Sequence, residues 1–209
     1  MVTIIDLSIG NLQSVANAFR RVGAEVSIAQ TPDAAEGAQL LVLPGVGAFE
    51  RAMVQLQERR FGPFLRRHAL ERRQPLVGIC LGMQLLADRS HEHGLFEGLG
   101  LISGEVVRLE PRPPDSRVPN IGWIRVRATK TSPMFPVEVD GQNFYHVHSY
   151  HLICNDPSDV AATIDFGSRE VVTAVERGNV FGVQFHPEKS QDAGLNLLHS
   201  LLNHVNSLD

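Results

Sequence analysis

The chain of 209 residues is 43% hydrophobic and 20% charged, with a net charge of −4: ordinary globular composition, enough for one sizeable core and one domain over 1–209. No basic block is present, which argues against nucleic acid or an anionic membrane as partner, and neither a signal peptide nor an apolar run of spanning length is found. Two cysteines, Cys80 and Cys154, make no disulfide framework, so a reduced, cytoplasmic compartment is expected.

In chain order, 2–7 reads as a first strand. Asn11 is placed to cap a helix reaching Val22, with Leu12, Val15, Ala16 and Phe19 inward and Gly23 as its stop. Strands follow at 24–28 and 40–43, the latter continuously apolar as in a strand buried on both faces. Helical patterns cover about 50–59 and 63–73, and their arginine pairs read as solvated faces. A short apolar strand at 75–79 then meets a helical pattern at 81–87. Strands alternating with helices predict an α/β fold with a largely parallel, helix-flanked central sheet. After Gly104 come shorter strands, at 105–109, 124–127, 143–149, 160–164, 171–175 and 180–185, expected as a mixed or antiparallel extension of that sheet. The Pro-rich segment 111–119 reads as a surface loop. Residues 192–208 return to helix, with Leu195, Leu198, Leu202 and Val205 at helical spacing.

The motif GICLGMQ at 78–84 organises the rest. Cys80 sits where a strand turns sharply into a helix, the G-x-nucleophile-x-G pattern of a nucleophile elbow with sulfur for oxygen. The flanking glycines suit a strained turn, and free amides opening the helix suit a developing oxyanion. A small buried cysteine in a core strand is the plainer alternative.

PGVGAF at 44–49 follows the third strand and should lie beside Cys80, since ligands sit beyond the carboxyl ends of parallel strands. It is either a backbone-presenting ligand loop or a tight turn; without a following Gly-Lys-Ser/Thr it is no phosphate cradle. In GVQFHPEKS at 182–190, His186 and Glu188 are two apart and leave an extended segment on one side. A cysteine nucleophile needs a base, and the base an orienting partner; Cys80, His186 and Glu188 supply that set. In YHVHSYH at 145–151, His146 and His148 share a strand face, but no companion ligands have metal spacing. A polar, ligand-facing strand is expected there, and no metal or cofactor. Cys154 reads as buried or inert.

Together these stretches resemble the class I, Cys-His-Glu glutamine amidotransferases, whose domain is a flavodoxin-like α/β fold, across nearly the whole chain. With Asn11 after Gly10, NIGW at 120–123 and His148-Ser149-Tyr150, the pattern is most similar to the branch of glutaminase subunits serving imidazole glycerol phosphate synthase in histidine biosynthesis. The resemblance implies Cys80 as nucleophile, His186 as acid and base, and Glu188 as its orienter. It puts the Leu81 amide with an amide of Gly45, Val46 or Gly47 in an oxyanion hole. Gly45, Gly47, Gln84, Ser149 and Tyr150 would hold glutamine, with Glu92 a further candidate for its ammonium. Asn11, Trp123 and Lys189 would face the partner, a separate (β/α)8-barrel cyclase subunit receiving ammonia. From residue type alone Trp123 reads as a core aromatic. Two departures stand out: Leu7-Ser8 replaces an aromatic and glycine, and His146 replaces an aromatic. Alternatives are an amidotransferase serving another synthase, for example in surface-sugar biosynthesis, a cysteine hydrolase of other substrates, and a non-catalytic partner-binding subunit.

Overall fold

The computed structural model describes residues 1–8, 10–111, 116–136 and 139–208. The middle of the expected Pro-rich loop, 112–115, lies outside them. The chain opens with β1 (Val2–Ile5), α1 (Leu12–Arg21), β2 (Val26–Ala29), β3 (Leu40–Gly45), α2 (Phe49–Glu58) and α3 (Phe61–Arg66), which runs on into a π-helical turn at Arg67–Glu71. Next come β4 (Leu76–Cys80), α4 (Leu81–Leu85), β5 (Ala87–Ser90), β6 (Phe96–Glu97) and β7 (Ile102–Arg108). The remainder is β8 (Asn120–Arg125), β9 (Arg127–Ala128), β10 (Asn143–His148), β11 (Tyr150–Cys154), β12 (Val160–Phe166), β13 (Arg169–Arg177), β14 (Val180–Val183) and α5 (Gln191–Asn206).

Eight strands form the main sheet in the order β2-β1-β3-β4-β14-β13-β12-β9. The first five are mutually parallel, and β13, β12 and β9 add an antiparallel flank. Every residue of β3, β4 and β14 is buried, as helices on both faces require. Phe19 of α1 and Leu197, Leu198 and Leu201 of α5 share one core with Ile4 and Val42. Phe49, Ala52 and Leu56 of α2, Phe61 and Phe64 of α3, and Leu81 and Met83 of α4 share the opposite core with Ile5 and Leu43.

The cap of α1 forms as expected: Asn11 Oδ1 accepts from Ser14 N at 3.3 Å, and Gly23 takes φ +91° after the last turn. Two expectations need correction. The helix after Cys80 ends at Leu85, because Ala87 enters β5 and its carbonyl accepts from Gly100 N. The later strands are not all sheet extension: β8 and β10 pair as a separate antiparallel ribbon, and β11-β7-β5-β6 make a third sheet. In α5 the buried stripe runs through Gly194, Leu197, Leu198, Leu201 and Val205, while Leu195 and Leu202 lie at its edge.

Candidate active site

Cys80 ends β4 at φ +55°, ψ −110°, a conformation that L-residues rarely adopt. The glycines around it are there for room. A Cβ on Gly82 would collide with the Leu43 carbonyl, and one on Gly78 would lie 2.5 Å from the Gly82 oxygen. So α4 sits directly against the strand ends, and Leu81 N–H is the first amide of a helix, without a partner one turn earlier.

Neighbouring strands deliver the rest by register. Gly45 of β3 is the partner of Cys80, so the loop through Val46 and Gly47 (φ +99°) leaves the sheet beside the sulfur. On the other side Val183 of β14 pairs with Ile79, and the chain continues through Gln184 and Phe185 to His186. His186 N donates to the Tyr145 carbonyl at 2.9 Å. Ser190, buried below, donates to the His186 carbonyl at 2.6 Å and accepts from Tyr145 N at 3.0 Å. These bonds tie the turn Pro187–Lys189 to β10.

His186 Nδ1 and Glu188 Oε1 are 2.8 Å apart, with both side chains only 4% exposed. Burial pulls the imidazole toward neutrality. The Cys80 sulfur and the Glu188 carboxylate outweigh it and raise the pKa to about 9. Nε2 has no partner in hydrogen-bonding geometry. The sulfur is near enough to act on the ring's charge, but the Nε2–sulfur hydrogen bond is not closed.

One cleft of about 660 Å³ is lined by Cys80, Leu81, His186, Val46, Gly47, Gln84, Glu92, Ser149 and Tyr150, together with Arg108, His93 and Pro119. Gly45 lies under it, against Leu81, and Glu188 lies behind His186. Gln84 spends its amide N–H pair on the Tyr150 carbonyl (3.1 Å) and Gln184 Oε1 (3.0 Å). One Glu92 oxygen accepts from Phe49 N at 2.7 Å, pinning the start of α2 just after the glycine loop. A second cavity, about 30 Å³, shares Val46 and His186 with the cleft and is lined also by Asn11, Glu188 and Lys189.

Trp123 is 48% exposed, which overturns the core-aromatic reading. Its ring meets Tyr145 edge-on at 6.0 Å, and Lys189 Nζ lies 5.8 Å above the same Tyr145 ring. His146 and His148 are buried and neutral, burial lowering their pKa values to about 4 and about 3. His146 bonds the Phe144 carbonyl and Thr173 Oγ1; His148 bonds the Tyr150 carbonyl and Asn120. Both nitrogens of each ring are occupied by protein, so the pair shapes the strand beneath Ser149 and offers no lone pair to a cation. The ring of His146 packs 5.5 Å from Phe185, filling the aromatic's place. Leu7-Ser8 is accommodated by Arg59, which donates to the Asp6 carbonyl and to Ser8 Oγ, each at 2.7 Å. Burial pushes the Cys154 thiol up to about 12, the state of an inert thiol.

A family model, glutamine amidotransferase class-I, matches residues 3–202. The chain belongs to the class-I glutamine amidotransferases. This amidotransferase is 41% identical to imidazole glycerol phosphate synthase subunit HisH 1 of Campylobacter jejuni (strain RM1221) over 202 residues, covering 97% of this chain and 99% of that one. It is 43% identical to the HisH subunit of Synechococcus sp. (strain JA-3-3Ab), with 97% and 93% covered. Among solved structures it superposes on PurLQS from Thermotoga maritima with a TM-score of 0.77 at 20% identity, 98% of each chain covered. A crystal structure of a glutamine amidotransferase matches at 0.74, also with 20% identity and 98% of each chain covered. These two likenesses concern the fold.

The motif reading missed Gln184, Ser190 and Tyr145. Gln184 carried a signal in its place directly after the apolar strand and two before His186, although the chain bends at 184–185 and does not run extended between them. Ser190 and Tyr145 meet only through tertiary pairing, which no local pattern announces.

Proposed function

We propose that the amidotransferase hydrolyses the side-chain amide of glutamine and hands the ammonia to a separate (β/α)8-barrel cyclase subunit, which makes imidazole glycerol phosphate in histidine biosynthesis. Residues 1–209 act as one glutaminase domain in the cytoplasm, needing no metal or cofactor. The supporting observation is the register of three adjacent parallel strands. Along it Val46, Gly47, Cys80 and His186 line one cleft, with Glu188 bonded to His186 from behind, which supports the reading. Among the described residues no helix is long and apolar enough to cross a membrane.

The Cys80 sulfur, its proton passed to His186 Nε2, attacks the amide carbon. The carbonyl electrons move onto oxygen and are met by Leu81 N–H and an amide of the Val46–Gly47 loop. One such donor is typically worth ~10²–10³ in rate. The imidazolium protonates the leaving nitrogen, the C–N bond breaks, and ammonia departs from a glutamyl thioester. His186 then takes a proton from water, hydroxide attacks the thioester, and glutamate leaves as the sulfur is released. Glu188 holds Nδ1–H throughout, keeping Nε2 toward the reaction. Gln84 Oε1, Glu92 and the Ser149–Tyr150 backbone hold the amino-acid end. Asn11, Lys189 and Trp123 stand by the small second cavity and the surface near it, where the partner would dock.

The test is a glutamine assay with and without the cyclase and its ligand. Low activity alone, strong stimulation in the complex and loss of at least ~10³-fold in Cys80→Ala are expected. Equal turnover of asparagine, peptides or esters would transfer the site to another hydrolase. Failure of a glutamine-like electrophile to label Cys80 in the complex would reduce the chain to a binding subunit.

A further inference from the structure

Gln184 is fully buried, with its amide set behind the cleft against two lining residues, Cys80 and Gln84. Its Nε2 is 3.8 Å from Cys80 Sγ and its Oε1 accepts from Gln84 Nε2 at 3.0 Å. Gln84 Nε2 also donates to the Tyr150 carbonyl at 3.1 Å. A carbonyl only accepts, so the Gln84 atom beside Tyr150 must be nitrogen. The Gln184 atom facing that nitrogen must then be oxygen, and the Gln184 atom left for the sulfur must be its NH2. The Tyr150 carbonyl is itself held, since His148 Nδ1 reaches it at 2.9 Å. The direction of the chain Tyr150–Gln84–Gln184–Cys80 is therefore fixed by a backbone group at its far end.

From this we infer that Gln184 is a further residue of the reaction, an amide donor that sets the state and direction of the Cys80 sulfur and ties it to the glutamine-binding wall. The sulfur meets a group that only donates, so the thiol proton cannot be lodged there. The unpartnered ring nitrogen nearby is His186 Nε2, which takes that proton to become the imidazolium facing the sulfur, while Nδ1–H is held by Glu188. Gln184 thus directs the S–H toward the base, and after transfer its N–H stabilises the negative sulfur. The same hydrogen bond re-forms when the thioester is cleaved and the sulfur is released. The inference rests on Cys80 being the nucleophile.

The test uses the assembled complex and two variants. Gln184→Leu removes donor and acceptor; Gln184→Glu keeps an acceptor for Gln84 but presents oxygen to the sulfur. Hydrogen bonds to charged groups imply that kcat falls roughly tenfold or more in both. KM for glutamine should stay within about twofold in Gln184→Glu. Alkylation of Cys80 by iodoacetamide at neutral pH, read by mass spectrometry, should slow by about the same factor. A merely structural role predicts wild-type alkylation rates in every variant that melts as a folded protein, and that result overturns the inference. If wild-type Cys80 itself resists a glutamine-like electrophile, the failure lies with the nucleophile assignment and not with Gln184.

Discussion

In the proposed mechanism His186 carries the charge that the chemistry needs, and that charge has a stability signature. Its folded pKa, about 9, lies above the unfolded value near 6.5. The contribution is fully present below about pH 6.5 and disappears as pH rises through about 9. The midpoint difference between wild type and His186→Asn is therefore expected to be largest at pH 6 and to shrink toward pH 9.5, from a starting value on the order of 2–3 kcal/mol. A difference constant over that range would mean that the imidazole is not held charged. His186 and Glu188 were legible as a pair from their spacing, but the extended segment expected there is a 3-10 turn at Pro187–Lys189, and it is this turn that brings Glu188 to Nδ1. The occupation of both nitrogens of His146 and His148 was not legible, since one nitrogen of each ring is satisfied two residues away by the Phe144 or Tyr150 carbonyl but the other only by Thr173 or Asn120, which are distant in sequence.

The elbow between β4 and α4 holds Cys80 in a backbone state that glycine tolerates and other residues resist. Cys80→Gly should consequently melt higher than Cys80→Ala, by about 1 kcal/mol of stability, in thermal unfolding of the two inactive variants. The reverse order would show that the turn carries no strain. The elbow could be read from GICLG because close approach of helix to strand leaves a mark in residue size. β3 could be read because burial on both faces leaves an unbroken apolar run. β5, with sequence Ala-Asp-Arg-Ser, could not: it alternates nothing and forms because β6 and β7 offer it hydrogen-bond partners. Its arrival also cuts α4 short, so one unreadable strand misplaced the end of the helix before it.

At the scale of the whole molecule, β8 is a place where two large apolar side chains of one strand face outward together. There the usual alternation is inverted: Asn120 is buried on His148, while Ile121 and Trp123 are 58% and 48% exposed. Apolar side chains left outward beside Tyr145 and Lys189 fit a surface awaiting another protein. Trp123→Ala should weaken binding of the proposed cyclase subunit by roughly tenfold or more, measured by calorimetry, with the far-UV spectrum unchanged. Unaltered affinity would place the docking face elsewhere.

The three strands that carry the site are neighbours, and their alignment is written in backbone hydrogen bonds and not in loops. Loss of a single residue from β14 would shift everything beyond it by about 3.3 Å and turn alternate side chains to the opposite face. Evolution can lengthen or trim the outer loops of such a protein freely, but insertions and deletions inside β3, β4 or β14 would silence it at one stroke. Lineages should therefore vary in size around a strand framework whose residue count never changes.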